Sequence, residues 1–209
     1  MIRVCLADNY PVVHFGVKSY FKDHANINIV ANVGTFSMIK DVLNDKEIDV
    51  LILDLDLDGL SSIYEVKALI KNYPKTKFII YTNYAEQLYA PNAIKAGVSG
   101  YVHKTSKLES LGNAITRVSQ GNIVMNENLK KNLAAIAKQN KSERLYRKLS
   151  NREIEVLRYL SDGKKNNEIA QILTLNEKTI STYKLRLLQK LHVTNLVDLV
   201  NKAKTLEIV

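Results

Sequence analysis

Cysteine is nearly absent from this chain. Cys5 stands alone, so no intramolecular disulfide can form. Its place in the first apolar segment reads as a buried core thiol rather than a nucleophile. Histidine is also scarce, and His14, His24, His103 and His192 show no metal-ligand spacing. Apolar runs never exceed a few residues, so no segment reads as a membrane span. The N-terminal MIRVCLADNYP lacks the basic region, apolar stretch and small-residue cleavage site of a signal peptide. The expected location is therefore the cytoplasm.

What is present is an ordinary globular composition with an uneven charge. The 209 residues suggest one or two domains, and the 46% apolar share can supply a real core. Residues 1–121 hold 13 Lys/Arg and 12 Asp/Glu, a net of +1, whereas residues 122–209 hold 17 and 9, a net of +8. A positive charge confined to the C-terminal part is the footprint of a polyanion partner, nucleic acid before membrane.

Strand-like and helix-like segments alternate through the first 121 residues. Ile2–Asp8, Ile27–Val33, Val50–Leu55, Phe78–Thr82 and Gly100–Lys104 read as strands. Pro11–Phe21, Phe36–Leu43, Ile63–Asn72, Glu86–Ala96 and Leu108–Ser119 read as helices, with Pro11 in a first turn and Gly97 and Gly121 as stop signals. Five such units predict a parallel sheet with right-handed crossovers and helices on both faces.

The segment Val50–Gly59, VLILDLDLDG, organises this half. A short continuous apolar run fits a strand buried on both faces, and it delivers Asp54, Asp56 and Asp58 beyond its carboxyl end. Ligands of open α/β sheets bind there. The other strands end in Asp8-Asn9, Thr82 and Lys104, so carboxylates, a hydroxyl and an ammonium converge on one rim. In this ordered set the chain resembles the response-regulator receiver domain of two-component signalling, over about residues 1–121. The resemblance implies a flavodoxin-like, doubly wound α/β fold. It implies Asp54 as phosphoacceptor, Thr82 and Lys104 as its catalytic partners, and Thr82 and Tyr101 as switch residues. It also implies a Mg²⁺ held by Asp8, Asn9, Asp54 and the Asp56 backbone carbonyl, with phosphohistidine on a sensor histidine kinase or phosphotransfer protein as donor.

Phosphoryl transfer depends on charge neutralisation more than on covalent help, which is why acids, an ammonium and a hydroxyl belong together. Two departures stand out. Asn9 occupies the position of the usual second acid, and an amide oxygen brings no charge to a hard cation. Asp58 stands where proline is common, and Thr105 follows Lys104 where many receivers also have proline.

Residues 122–148 read as a connection, with a short helix expected over 128–137 and the exposed KQNKSERLYRK after it. From Leu149 the pattern is purely helical. Ser150 and Glu153 form a capping box, and Gly163 ends that helix. A second helix is read over Asn167–Leu173, a third from the Asn176 cap to about His192, and a fourth over Asn195–Ala203. LSNREIEVLRYLSDGKKNNEIAQILTLNEKTISTYKLRLLQKL resembles the C-terminal domain of the NarL/FixJ (LuxR-type) regulators over residues 149–209, with Thr174 where the turn often has glycine and Tyr183 for a frequent histidine. This implies an all-α, four-helix helix-turn-helix domain that binds double-stranded DNA as a homodimer.

On the third helix Ile180, Tyr183, Leu187 and Leu191 share the face expected to pack inward. The opposite face shows Lys178, Ser181, Thr182, Leu185, Arg186 and Gln189. Ser181 and Thr182 can bond base edges and Leu185 can touch thymine methyls. Lys178, Lys184, Arg186 and Lys190, with Lys164 and Lys165 before the motif, are read as phosphate contacts. Leu196, Leu199 and Val200 of the fourth helix form a stripe that is either a dimer surface or core.

The expected function is a DNA-binding transcriptional response regulator without enzymatic turnover. A phosphorylation-independent regulator with a degenerate receiver is the first rival, kept open by Asn9. A haloacid-dehalogenase-like phosphatase is the second, because DLDLDG resembles that family's DxD motif. That motif normally sits on the first strand, whereas here it follows the third.

Overall fold

The computed structural model describes residues 1–125 and 149–205. The chain forms two compact units, Met1–Lys131 and Asn132–Val209. The helix expected over 128–137 lies outside the described residues. Among the described residues no helix is long and apolar enough to cross a membrane.

The first unit is a five-stranded parallel sheet of β1 (Ile2–Ala7), β2 (Ile27–Val33), β3 (Val50–Leu53), β4 (Lys77–Thr82) and β5 (Gly100–His103). The strand order is β2-β1-β3-β4-β5, the flavodoxin-like arrangement. Helices α1 (Pro11–Tyr20), α2 (Phe36–Asp45), α3 (Ile63–Asn72), α4 (Glu86–Ala96) and α5 (Leu108–Ser119) connect and follow the strands.

Side-chain alternation along the strands explains two separate cores. Val4, Leu6, Val50, Ile52 and Ile79 face α1 and α5 through Val17, Phe21, Leu111 and Ile115. Cys5, Ala7, Leu51, Leu53 and Ile80 face the other layer, with Phe36 and Ile39 of α2, Val66 and Leu69 of α3, and Ala90 and Ala93 of α4. All four residues of β3 are fully buried, as its unbroken apolar run requires. Truncating Leu53 to alanine would cost about 2–5 kcal/mol. Burial also pushes the Cys5 thiol up to about 12, so it is an inert core group.

Strand β3 is shorter than its sequence suggests. The Asp54 N–H still donates to the Ala7 carbonyl at 3.0 Å. The Asp56 N–H then turns back to Asp54 Oδ1 at 3.2 Å, so an aspartate-centred turn replaces the ladder. Helix α4 runs through Pro91, which removes one backbone donor from its interior. It ends at Gly97, whose φ of 106° only glycine adopts readily. Residue Val124 bridges to Gly100 in parallel register, so the chain after α5 lies along the outer edge of β5.

The second unit contains α6 (Asn151–Ser161), α7 (Asn166–Leu173), α8 (Glu177–Leu191) and α9 (Leu196–Thr205). The capping box at α6 is complete. The Ser150 side chain accepts from the Glu153 N–H, and Glu153 accepts from the Ser150 N–H at 2.6 Å. Ile154, Val156, Leu157, Ile169, Leu173, Ile180, Leu187, Leu191 and Leu199 are buried. Leu199 of the α9 stripe is therefore core, Leu196 and Val200 are half-buried, and the exposed apolar residue there is Val197.

Candidate functional site

The crevice beyond β1 and β3 is the switch point of the sheet, where chain connections leave in opposite directions and ligands bind. Asp8 follows β1, Asp54 follows β3, Thr82 ends β4 and Lys104 follows β5. Lys104 is the hub. Its Nζ lies 2.7 Å from Asp8 Oδ2 and 2.5 Å from Asp54 Oδ2, and all three side chains are largely buried. The remaining carboxylate oxygens are also engaged. Asp8 Oδ1 accepts from the Tyr10 N–H at 2.9 Å, and Asp54 Oδ1 from the Asp56 N–H. Lys104 also stands 5.4 Å from the Tyr10 ring centroid, within cation–π range.

Burial works against the charged form of Lys104, but its bonds to Asp54 and Asp8 outweigh this, and the ammonium is held above its ordinary range. One cation thus serves two buried carboxylates, which leaves a net negative crevice. Thr82 is buried at its strand end, and its backbone carbonyl accepts from the Lys104 N–H at 2.8 Å.

Tyr101 is not bonded to the acids directly. Burial pushes its phenol well above the ordinary value, so it remains a donor, to the Tyr84 carbonyl at 2.8 Å. The Tyr84 hydroxyl in turn donates to Asp56 Oδ1 at 3.0 Å. Tyr84 therefore links Tyr101 to the loop after β3. Only its partners in three dimensions identify it, and nothing in its sequence position singled it out.

Asn9 is placed differently from its expected role. Its Nδ2 donates to the Asp56 carbonyl at 2.6 Å, and its Oδ1 accepts from the Asp58 N–H at 2.7 Å. Two of the four nominated cation ligands are thus bonded to each other. The atom that Asn9 turns toward the carbonyl is an N–H, which cannot ligate a metal. Among the described residues no group of three or more His, Cys, Asp or Glu side chains could hold a metal ion. In this arrangement Asp8, Asn9, Asp54 and the Asp56 carbonyl do not fit a divalent cation together. The side chains of Asp56 and Asp58 are exposed.

In the second unit, α7 and α8 are joined by a tight turn. Thr174 takes the left-handed conformation, φ 53° and ψ 50°, and the Leu175 N–H donates to the Ala170 carbonyl at 2.8 Å. Asn176 caps α8 by accepting from the Lys178 N–H at 2.9 Å. The outer face of α8 exposes Lys178, Thr182, Leu185, Arg186 and Gln189, with Lys164 and Lys165 exposed ahead of α7. Leu185 is 61% exposed, a large apolar side chain with no place in this unit's core. Tyr183 and Lys184 are half-buried.

Three of the residues expected to contact DNA make bonds that the helical pattern did not reveal. Ser181 Oγ accepts from Asn166 Nδ2 at 3.2 Å, so it faces α7. Thr182 Oγ1 donates to its own helix at the Lys178 carbonyl, 3.0 Å away. Lys190 departs furthest from its expected phosphate role. Its Nζ donates to both Glu153 oxygens, at 2.8 and 2.7 Å, tying α8 to α6. Burial pushes the Glu153 carboxyl up, but the bonds from Lys190 and Ser150 outweigh this and hold it below the usual range.

Comparison with known proteins agrees with both geometries. Residues 4–116 match the response regulator receiver domain, and residues 147–203 match the bacterial regulatory proteins of the luxR family. Receiver domains typically bind Mg²⁺ for phosphorylation. The chain is 31% identical over 206 residues to the fimbriae Z protein of Salmonella typhimurium, covering 98% of this chain and 97% of that one. It is similar to a structure of RcsB from Salmonella enterica serovar Typhimurium bound to a promoter in the presence of the phosphomimetic BeF3⁻. That match has TM-score 0.78 and 26% identity, and covers 96% of this chain and 97% of the other. A structure of two RcsB dimers bound to two parallel DNAs matches with TM-score 0.73 and 26% identity, at 96% and 97% coverage. The chain belongs to the transcriptional response regulators that join a receiver domain to a LuxR-type DNA-binding domain.

Proposed function

We propose that Asp54 is the phosphoacceptor through which a sensor histidine kinase or phosphotransfer protein controls DNA binding by this regulator. The observation that carries the reading is the buried Lys104 shared between Asp8 and Asp54 at the switch point. In the transfer, an Asp54 oxygen forms a bond to phosphorus as the P–N bond of the donor phosphohistidine breaks. The leaving imidazole nitrogen takes up a proton or keeps its lone pair. Lys104 stands where it neutralises charge on the phosphoryl group. The Thr82 hydroxyl closes on that group, and Tyr101, tied to the loop through Tyr84, reports its arrival.

The domain limits that accompany this reading are 1–121 for the receiver, 122–148 for the linker and 149–209 for the DNA-binding domain. The regulator works in the cytoplasm, as a homodimer on half-sites about one helical turn apart. Thr182, Leu185 and Gln189 are its base-reading residues, with Ser181 at the edge of that set. Lys164, Lys165, Lys178, Lys184 and Arg186 anchor phosphates. Lys190 is left out of that group because Glu153 holds it.

Incubation with a small phosphodonor is expected to add one phosphoryl mass to the intact protein and none to Asp54→Asn. A mass gain that survives the substitution would remove Asp54 from this role. On DNA, Lys178→Ala is expected to weaken all sequences alike and lower the salt slope by roughly one. Thr182→Ala is expected to relax preference at a single base pair. The reverse pattern would overturn the division of α8 into reading and anchoring residues.

A second reading, a receiver that acts without phosphorylation, is favoured by the Asn9 amide bonded across the loop. Equal DNA affinity of wild type and Asp54→Asn, before and after phosphodonor, would select it.

A further inference from the structure

We infer that Asn9 replaces the divalent cation as the clamp on the loop after β3, so that this receiver holds its site in shape without a metal. The inference rests on reading the crevice as a receiver site, but not on Asp54 being phosphorylated.

The argument begins with what faces Asn9. The loop presents one acceptor, the Asp56 carbonyl, and one donor, the Asp58 N–H. A carboxamide matches that pair, because it carries one of each. The match also fixes the orientation of the amide. Turning it over would set Nδ2 against the Asp58 N–H, donor to donor, and Oδ1 against the Asp56 carbonyl, acceptor to acceptor. The neighbouring groups therefore present nitrogen, not oxygen, toward the carbonyl.

An aspartate at this position would behave in the opposite way. One carboxylate oxygen could still accept from the Asp58 N–H. The other would lie against the Asp56 carbonyl, oxygen to oxygen, and would require a cation between them. Mg²⁺ meets that need through oxygen ligands in a strict octahedron. The asparagine N–H supplies the same bridge from within the chain and removes the negative charge that would have drawn the ion.

The rest of the loop is consistent with a closed, self-held conformation. The Asp58 carbonyl accepts from the Phe36 N–H at 2.8 Å, and Asp58 bridges in parallel to Thr35. Tyr84 holds the Asp56 carboxylate from the other side. The two buried acids already share Lys104. The structural part of the cation's role is thus taken by the Asn9 amide, while Lys104 offsets part of the charge of the two buried acids.

The test compares full-length wild type, Asn9→Asp and Asn9→Ala, each in EDTA and in saturating Mg²⁺. Thermal unfolding of the receiver and hydrogen exchange at the Asp58 amide are the readouts. Wild type is expected to show the same melting temperature and the same Asp58 protection in both conditions. Asn9→Asp is expected to melt at least about 2–4 °C lower than wild type in EDTA and to recover in Mg²⁺. Asn9→Ala, which has neither bridge nor charge, is expected to lose Asp58 protection in both. A wild type stabilised by Mg²⁺ as strongly as Asn9→Asp would overturn the inference. So would an Asn9→Asp as stable as wild type in EDTA, or an Asn9→Ala with Asp58 protection unchanged. A phosphodonor reaction followed by intact mass keeps the two readings apart. Metal-indifferent stability with no phosphoryl gain would support the clamp and overturn Asp54 as acceptor.

Discussion

Each unit of this protein contains a buried carboxylate–lysine arrangement, and the two are built differently. In the second unit one lysine meets one buried carboxylate of the neighbouring helix. Glu153, 2% exposed at its side chain, pairs with Lys190, which is 32% exposed. The same carboxylate caps the Ser150 N–H. In the receiver the count is two to one, with Asp8 and Asp54 sharing Lys104. Buried ion pairs need compensation for lost hydration. A balanced pair whose acceptors are satisfied can serve as a structural tie between helices. An excess of negative charge does little for folding, but under the proposed function it would hold Asp54 beside the cation that an incoming phosphoryl group needs.

The sharpest way to break this comparison is the same substitution, acid to amide, in both places. Glu153→Gln keeps a side-chain oxygen for the capping box but removes the carboxylate charge beside Lys190. Removing one partner of a buried pair costs about 3–5 kcal/mol, and partial exposure of Lys190 reduces this to about 1–3 kcal/mol. The second unit is expected to lose that much in denaturant unfolding, and Glu153→Gln with Lys190→Met is expected to recover part of it. The pH dependence has a definite sign. Glu153 titrates below its unfolded value, so the stability it contributes is present above the unfolded pKa and disappears as pH falls through the folded one. The gap between wild type and Glu153→Gln is expected to be full above about pH 4.5 and to close in more acid solution.

A smaller effect tests where else the second unit departs from an ideal structure. Thr174 is β-branched and left-handed, a conformation costing about 1–2 kcal/mol in an L-residue. Glycine relieves that cost but adds freedom to the unfolded chain. Thr174→Gly is expected to stabilise the unit by about 0.5–1 kcal/mol, measured by the same unfolding assay. A loss of stability would show that the threonine side chain makes the turn rather than merely tolerating it.

Much of this molecule was legible because its signals are local. Val50–Leu53 announced a doubly buried strand by composition, Ser150 and Glu153 announced a helix start by spacing, and Gly97 announced a helix end by backbone freedom. The ordered set of strand-end residues, read through its family resemblance, indicated which groups to look for at the crevice. The illegible parts are those that depend on partners distant in sequence. Lys190 looked like one more cation of a DNA-facing helix until its partner 37 residues away was in place. Ser181 looked outward on a helical wheel, but Asn166 draws it to α7. Leu199 could have been surface or core, and only packing decided. For Asn9 the residue type was informative, but the direction of its amide is fixed by a donor and an acceptor on a different loop.

The smallest expected effect is the most direct measure of the difference between the two units. Asp54→Asn removes one of two carboxylates from Lys104 and leaves Asp8 to hold it. The amide oxygen can still accept from the Asp56 N–H. One attraction and one like-charge repulsion are lost together, so receiver stability is expected to change by no more than about 1 kcal/mol, in the stabilising direction if at all. The alkaline side gives an independent check. Lys104 titrates above its unfolded value, so its contribution is full below the unfolded lysine pKa and is lost as pH rises through the folded one. With a single carboxylate beside it, Lys104 is raised less, and the alkaline loss of stability is expected to begin at lower pH in Asp54→Asn than in wild type. Unfolding measured from neutral pH into the lysine range would show this shift. A loss at neutral pH as large as that of Glu153→Gln would make the receiver pair a structural tie like its counterpart, and the surplus charge at Asp54 would no longer distinguish the two sites.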